Sequence, residues 1–272
     1  MNLWPGSQSF KREYIQLRGQ KIWASQSKPF LKRANEVPVV LLHGGMSQSE
    51  GFDGRLLPSV EGFHVFSYDR AGHGRSPDQP GSFHFDFQYA EAVAYLEDVV
   101  KKPAHLIGYS DGGIISLLVA INRPELIKTM TLIGANYSID ENGSPIPEWE
   151  PSVEDREKYA KFSPDAPETL VQKIKKMVHI WATEPNMTIS QLQTIKCPAL
   201  VIAGDDDVIK IDHTNEIYEA IENSRLAIIP GASHLIDKDQ PELLNKVIRD
   251  FLLDHEYPTT LMPVRRKKNE VR

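Results

Sequence analysis

Ser110 sits in Gly108-Tyr109-Ser110-Asp111-Gly112, between an apolar run, Ala104–Gly108, and a helical stretch from Asp111. A serine hydroxyl is a poor nucleophile at neutral pH, so chemistry here needs the side chain presented on a tight turn beside a base. A strand–turn–helix with small residues flanking the serine is the setting that allows it. Gly108 and Gly112 flank the serine, and Gly113 permits close helix–sheet packing. The same turn opens a helix, whose free N–H groups can face a developing oxyanion. Asp111 N–H is the expected first donor. The second should come from His43-Gly44-Gly45-Met46, which follows the apolar run Val37–Leu42; Gly45 N–H is favoured, with Met46 the alternative. His43 reads as a residue that fixes this loop by hydrogen bonding rather than as the base.

The base must be chosen among nine histidines. His234, in Pro230-Gly231-Ala232-Ser233-His234, follows the last apolar run and precedes the final helical pattern. A residue there projects from the carboxyl edge of a parallel sheet, where such sheets place their sites. His73, in Asp69-Arg70-Ala71-Gly72-His73-Gly74-Arg75-Ser76, reads as part of a structural loop. His64, His105, His179, His213 and His255 have no supporting motif. The orienting acid should follow the run Ala199–Ala203, where Gly204-Asp205-Asp206-Asp207 offers three carboxylates. All three satisfy a Ser, Asp, His chain order. Asp207, furthest into the loop, is favoured, and Asp205 and Asp206 read as turn-shaping residues. A metal site is the rival use of three aspartates, but no His or Glu at ligand spacing supports one.

These residues need a frame to hold them. Short β-branched runs alternate with amphipathic segments, the pattern of an α/β fold with a mostly parallel central sheet covered by helices. Strands are expected at Val37–Leu42, His64–Tyr68, Ala104–Gly108, Lys128–Ile133, Ala199–Ala203 and Leu226–Ile229, with an edge hairpin from Tyr14–Leu17 and Lys21–Ala24. Helices are expected at Phe87–Lys101, Asp111–Asn122 and Pro241–His255. The rhythm breaks between Asn136 and Lys196, where Tyr137–Pro164 is rich in Pro, Glu, Asp and Ser and Glu168–Trp181 is helical. Residues 137–196 therefore read as a helical cap inserted into a core made of 1–136 and 197–272.

Composition narrows the partners. A formal net charge of −6 disfavours nucleic acid, and the basic cluster Arg265-Arg266-Lys267-Lys268 reads as a solvated tail. The single cysteine, Cys197, has no internal disulfide partner and starts an apolar run in which it should pack. Met1-Asn2-Leu3-Trp4-Pro5 lacks the order of a signal peptide, and no apolar run reaches membrane-spanning length. The cytoplasm is the default location, and a monomer or homodimer acting on a small molecule the default expectation.

Five motifs in order resemble the α/β-hydrolase superfamily over about Tyr14 to Leu253: His43-Gly44-Gly45, Asp69-Arg70-x-Gly72-His73-Gly74-x-Ser76, Gly108-x-Ser110-x-Gly112-Gly113, Gly204-x-x-Asp207 and Gly231-x-x-His234. The resemblance implies Ser110 as nucleophile, Asp207 as acid, His234 as base, a cap over the site, and no metal or organic cofactor. Ser110-Asp111-Gly112-Gly113 is similar to the biphenyl hydrolase-like and valacyclovirase-like esterases. Ester hydrolysis through an acyl-enzyme is the expected activity. Lactone, amide or carbon–carbon bond hydrolysis on the same residues, or a receptor-like relative with little turnover, are the alternatives. Asp111 is a candidate to bind a substrate amine, or else serves its helix N-terminus. Trp149, Phe162, Met177 and Trp181 are candidate substrate-lining residues of the cap.

Overall fold

The computed structural model describes residues 9–27, 37–139, 147–256, 258 and 260–265. The readings of Met1–Pro5 and of Arg266, Lys267 and Lys268 lie outside them. Eight strands form one sheet: β1 (Phe10–Leu17), β2 (Gln20–Ser27), β3 (Val39–Leu42), β4 (Val65–Tyr68), β5 (Ala104–Tyr109), β6 (Ile127–Ile133), β7 (Ala199–Asp206) and β8 (Ser224–Ser233). Their order is β1-β2-β4-β3-β5-β6-β7-β8. The β1–β2 hairpin and the β2–β4 pairing are antiparallel, and the remaining pairings are parallel.

The described helices are α1 (Phe85–Tyr95), α2 (Asp111–Asn122), α3 (Val153–Phe162), α4 (Leu170–Thr183), α5 (Ile189–Leu192), α6 (Ile211–Ala220), α7 (Ile236–Asp239) and α8 (Pro241–Leu253). The helix expected over Phe87–Lys101 is shorter than its apolar pattern suggested. It gives way at Leu96–Val100 to a wider π turn, which Lys101 closes in the left-handed region at φ 60°.

Because strand side chains alternate in direction, the sheet builds two cores. Val40, Leu42, Leu106 and Leu132 face α1 and α2, while Val39, Leu41, Ile107 and Ile133 face the α8 residues Leu244, Ile248 and Phe251. Strands β3 and β5 are buried along their whole length, as strands covered on both faces must be. The chain leaves β3 toward β4 on one side and returns to β5 on the other, which opens a crevice at their carboxyl ends. Between β6 and β7 lie α3, α4 and α5. This segment is tied to the core by Lys173, a buried ammonium on α4 that donates to Gly72 O (2.9 Å) and Asp165 Oδ2 (2.7 Å).

Two side chains outside the site bear on the sequence reading. Arg265 is docked rather than solvated: its guanidinium donates to Tyr218 O (2.6 Å) and Ile221 O (2.7 Å) at the end of α6, where free helix carbonyls attract a cation. Cys197 packs against the core, and burial pushes its thiol up to about 12.

Candidate active site

The turn after β5 forces Ser110 to φ 51°, ψ −116°, a conformation that costs a non-glycine residue about 1–3 kcal/mol. Its surroundings hold it there. Ser110 N–H donates to Ile133 O (2.7 Å), and Ser110 O accepts from Gly113 N–H (2.7 Å). Glycine is required beside it: a Cβ on Gly108 would lie 2.2 Å from Gly112 O, and one on Gly112 would lie 2.0 Å from Leu42 O.

Three residues named from the sequence meet here. Ser110 Oγ lies 3.0 Å from His234 Nε2, and His234 Nδ1 lies 2.7 Å from Asp207 Oδ1. Asp207 can only accept from the ring, so Nδ1 carries the proton and Nε2 is free to accept from the serine hydroxyl. The Asp207 side chain is fully buried, and the same Oδ1 also accepts from Ile209 N–H (2.9 Å). The neighbouring aspartates point elsewhere. Asp205 accepts from Ala232 N–H (3.1 Å), and Asp206 is an exposed partner of Ser233 in the β7–β8 ladder.

Sequence reasoning missed two residues that hold His234. Gly134, which follows β6 at φ +58°, packs directly under the imidazole. A Cβ there would lie 2.8 Å from Cε1 and 2.9 Å from Nδ1. A glycine closing an apolar strand was the available signal. Tyr109 donates its hydroxyl to His234 O (2.6 Å) and lies 3.1 Å from Asp237 Oδ1, bracing the histidine loop against the turn that carries Ser110. Burial pushes the Tyr109 phenol well above its ordinary range, so it stays a donor.

The loop after β3 packs on the serine: a Cβ on Gly44 would lie 3.3 Å from Ser110 Cβ. A cavity of about 430 Å³ opens over this point, lined among others by Gly45, Phe52, Ser110, Asp111, Trp181 and His234. Met46 lies outside that lining, packs on the core, and takes a left-handed φ of 53°. Of the four cap candidates only Trp181 lines the cavity. Met177 is fully buried in the core, Phe162 lies under the Arg75 guanidinium, and Trp149 is half-exposed, stacked 6.4 Å behind Trp181. An apolar stripe on a helix does not say which of its members will face the site.

Asp111 is almost completely buried. Its Oδ1 accepts from Trp181 Nε1–H (3.0 Å), and its Oδ2 lies 3.9 Å from Arg70 Nη2 with no hydrogen-bond partner among the described residues. Burial raises this carboxyl above the ordinary carboxylate range, against the pull of Arg70. Its side chain thus joins Trp181 of α4 to the turn that carries Ser110. His73 is buried as well, its ring tilted against Phe83 and kept neutral by burial, and its Nδ1 bonds Ala71 O (3.1 Å).

A parallel-sheet crevice holding a serine, a histidine and a carboxylate in hydrogen-bonded sequence defines a hydrolase class. The family model described as the alpha/beta hydrolase family matches residues 39–247, and the chain belongs to that family. It is a hydrolase of the α/β-hydrolase type. The human serine hydrolase BPHL is 28% identical over 234 residues, which cover 79% of this chain and 78% of that protein. The (E)-2-((N-methylformamido)methylene)succinate hydrolase of Acinetobacter baylyi is 22% identical over 249 residues, 82% of this chain and 93% of that protein. Among solved structures, a serine hydrolase involved in carbazole degradation superposes with a TM-score of 0.71 at 18% identity, covering 90% of this chain and 99% of that one. Among the described residues no helix is long and apolar enough to cross a membrane.

Proposed function

We propose that the protein hydrolyses carboxylic esters of small molecules through an acyl-enzyme on Ser110. The observation that carries this reading is the unbroken chain from Ser110 Oγ through His234 to buried Asp207, at a strained turn facing the cavity. In it, Ser110 Oγ attacks the ester carbonyl carbon as its proton passes to His234 Nε2. The carbonyl electron pair moves onto oxygen, and Gly45 N–H and Asp111 N–H receive that oxyanion. Collapse breaks the bond to the alcohol, which leaves with the proton from His234. Water then attacks the acyl group, giving its proton to His234. The bond to Ser110 breaks, the proton returns to Oγ, and the acid departs. Asp207 stabilises the imidazolium of each half-reaction. The sequence of steps needs no metal or organic cofactor.

In this reading residues 137–196 act as the cap, and Trp181 is its contact with substrate. A second reading, a preference for esters that carry an amine, is favoured by Asp111 Oδ2 beside the nucleophile, which has no hydrogen-bond partner among the described residues and only a long contact to Arg70. A fluorophosphonate should label the wild type and not Ser110→Ala; no labelling of wild type defeats the acyl-enzyme. A panel of simple esters, amino-acid esters, lactones, amides and carbon–carbon substrates then ranks the chemistries. If Asp111→Asn leaves the ratio of amino-acid to neutral ester hydrolysis unchanged, the amine preference fails.

A further inference from the structure

We propose that Arg70 is a positioning residue for the oxyanion donor, clamping the Gly44–Gly45 peptide so that its N–H is turned into the cavity. The proposal rests on the acyl-enzyme reading above. Arg70 follows β4 and is completely buried, yet its nearest carboxylate contact with Asp111 is a long one, 3.9 Å. A buried guanidinium is costly unless its donors are used. Both terminal nitrogens are used on the neighbouring loop, while Nε has no hydrogen-bond partner among the described residues. Nη1 donates to His43 O and Nη2 to Gly44 O (3.0 Å), so the planar fork grips two successive carbonyls.

The same residue sets a second donor. Arg70 N–H donates to His43 Nε2 (3.1 Å), which leaves the ring proton on Nδ1. His43 Nδ1–H then donates to Gly44 O (2.8 Å), and Ser47 N–H approaches that oxygen at 3.4 Å. Burial and the charge of Arg70 hold His43 well below its ordinary titration range, so this tautomer persists.

Gly44 O is thus surrounded by three donors, two of them set by Arg70. In a trans peptide C=O and N–H point in opposite directions. Fixing the oxygen toward Arg70 therefore turns Gly45 N–H to the other side, toward the cavity that Gly45 lines. A Gly-Gly peptide has no side chain to resist rotation, so an external clamp is needed. If the peptide flipped, a carbonyl would face the developing oxyanion in place of a donor.

The test uses Arg70→Lys and Arg70→Met with a chromogenic ester, each rate expressed per site by end-point titration with a fluorophosphonate. Loss of one oxyanion donor lowers kcat by about 10²–10³-fold. Arg70→Met should lower kcat about 10²-fold, and Arg70→Lys, which keeps the charge but not the fork, about 10-fold. KM should stay within about twofold, and affinity for a trifluoromethyl ketone should weaken in step with kcat/KM. A kcat in Arg70→Met within about twofold of wild type overturns the proposal, as does a loss carried by KM with ketone affinity unchanged. A crystal structure of the wild-type phosphonylated enzyme decides the matter even if the variants do not fold. It should place a phosphoryl oxygen about 3 Å from Gly45 N with Gly44 O still on Arg70. Contact with Met46 N–H instead, or a Gly44 carbonyl facing the cavity, overturns the proposal. Failure of the wild type to be labelled at Ser110 is a separate outcome, and it defeats the acyl-enzyme reading itself.

Discussion

Replacing Gly134 by alanine adds one methyl group under the imidazole of His234, and its consequences divide into two separable parts. The first is backbone strain, because Gly134 has φ +58°. An L-residue in that region costs about 1–2 kcal/mol. The second is a clash, since the new Cβ would lie 2.8 Å from Cε1 and 2.9 Å from Nδ1 of His234. These separations fall about 0.6 Å or more short of ordinary contact, so the ring must retreat. Nδ1 is held 2.7 Å from Asp207 and Nε2 3.0 Å from Ser110, and a displaced ring cannot keep both. A misplacement of about 1 Å at reacting groups costs on the order of 10²-fold in rate, so kcat/KM should fall by about that factor. Gly19→Ala supplies the control: Gly19 has φ +74° with nothing within 4 Å of its would-be Cβ. Urea unfolding should show the strain loss in both variants and a further loss from the clash in Gly134→Ala, and ester hydrolysis should collapse only in Gly134→Ala. If Gly134→Ala keeps its activity within about threefold while losing that stability, the packing argument for His234 is wrong.

Tyr109→Phe removes only the hydroxyl that holds His234 O; kcat/KM should fall about 3–10-fold and stability by about 1 kcal/mol. Unchanged turnover with the stability loss would make this brace purely structural. Glu91 is buried, and burial pushes its carboxyl up to about 7 from the usual carboxylate value. Its neutral form is favoured in the folded chain, so stability is full below the unfolded pKa of about 4.5 and is lost as pH rises through 7. Glu91→Gln should therefore be more stable than wild type at pH 8, on the order of 3 kcal/mol, and about equal to it at pH 4.5, by urea unfolding at the two pH values. His105 acts in the opposite sense. Burial lowers it to about 4, so its contribution is present above the unfolded value near 6.5 and lost as pH falls toward 4. Lys173→Met takes the ammonium from Gly72 O of the core and from Asp165 Oδ2, which keeps only its bond from Asp78 N–H (2.9 Å). It should cost about 3 kcal/mol and speed trypsin cleavage within 147–196; unaltered cleavage would mean that other contacts hold this segment.

The elbow and the helix after it were legible in the sequence because they are local: an apolar run, a small-residue turn and an unbroken apolar helix over Asp111–Asn122. Helix α3 was missed because it buries none of its residues. Its one local signal was the reciprocal capping pair Ser152 and Asp155. Helix α6 was missed too; only Thr214, Ile217 and Ala220 are buried, a face too polar to mark an amphipathic helix. Strands β7 and β8 run past their apolar segments to Asp206 and Ser233, because ladder hydrogen bonds continue where side-chain hydrophobicity stops. Arg70 was visible as part of a motif, yet nothing in its spacing showed that its guanidinium would reach back to the loop after β3.

By itself the sequence determined the residue types and their order: a serine on a strand–turn–helix, a histidine after the last strand, and carboxylates after the one before it. Each is a property of a few neighbouring positions, fixed by hydrophobic period and by the backbone freedom of glycine. Only the tertiary structure decided that Ser110 and His234, 124 positions apart, lie within hydrogen-bond distance. It also decided that Asp207 rather than Asp205 turns toward the ring, and that Gly134, Tyr109 and Arg70 converge on the same point. The physical reason is that strand order, not chain order, determines which loops meet. With β5 beside β6 and β6 beside β7, the carboxyl ends of separate segments become one surface, and close packing there sets distances that no local pattern contains.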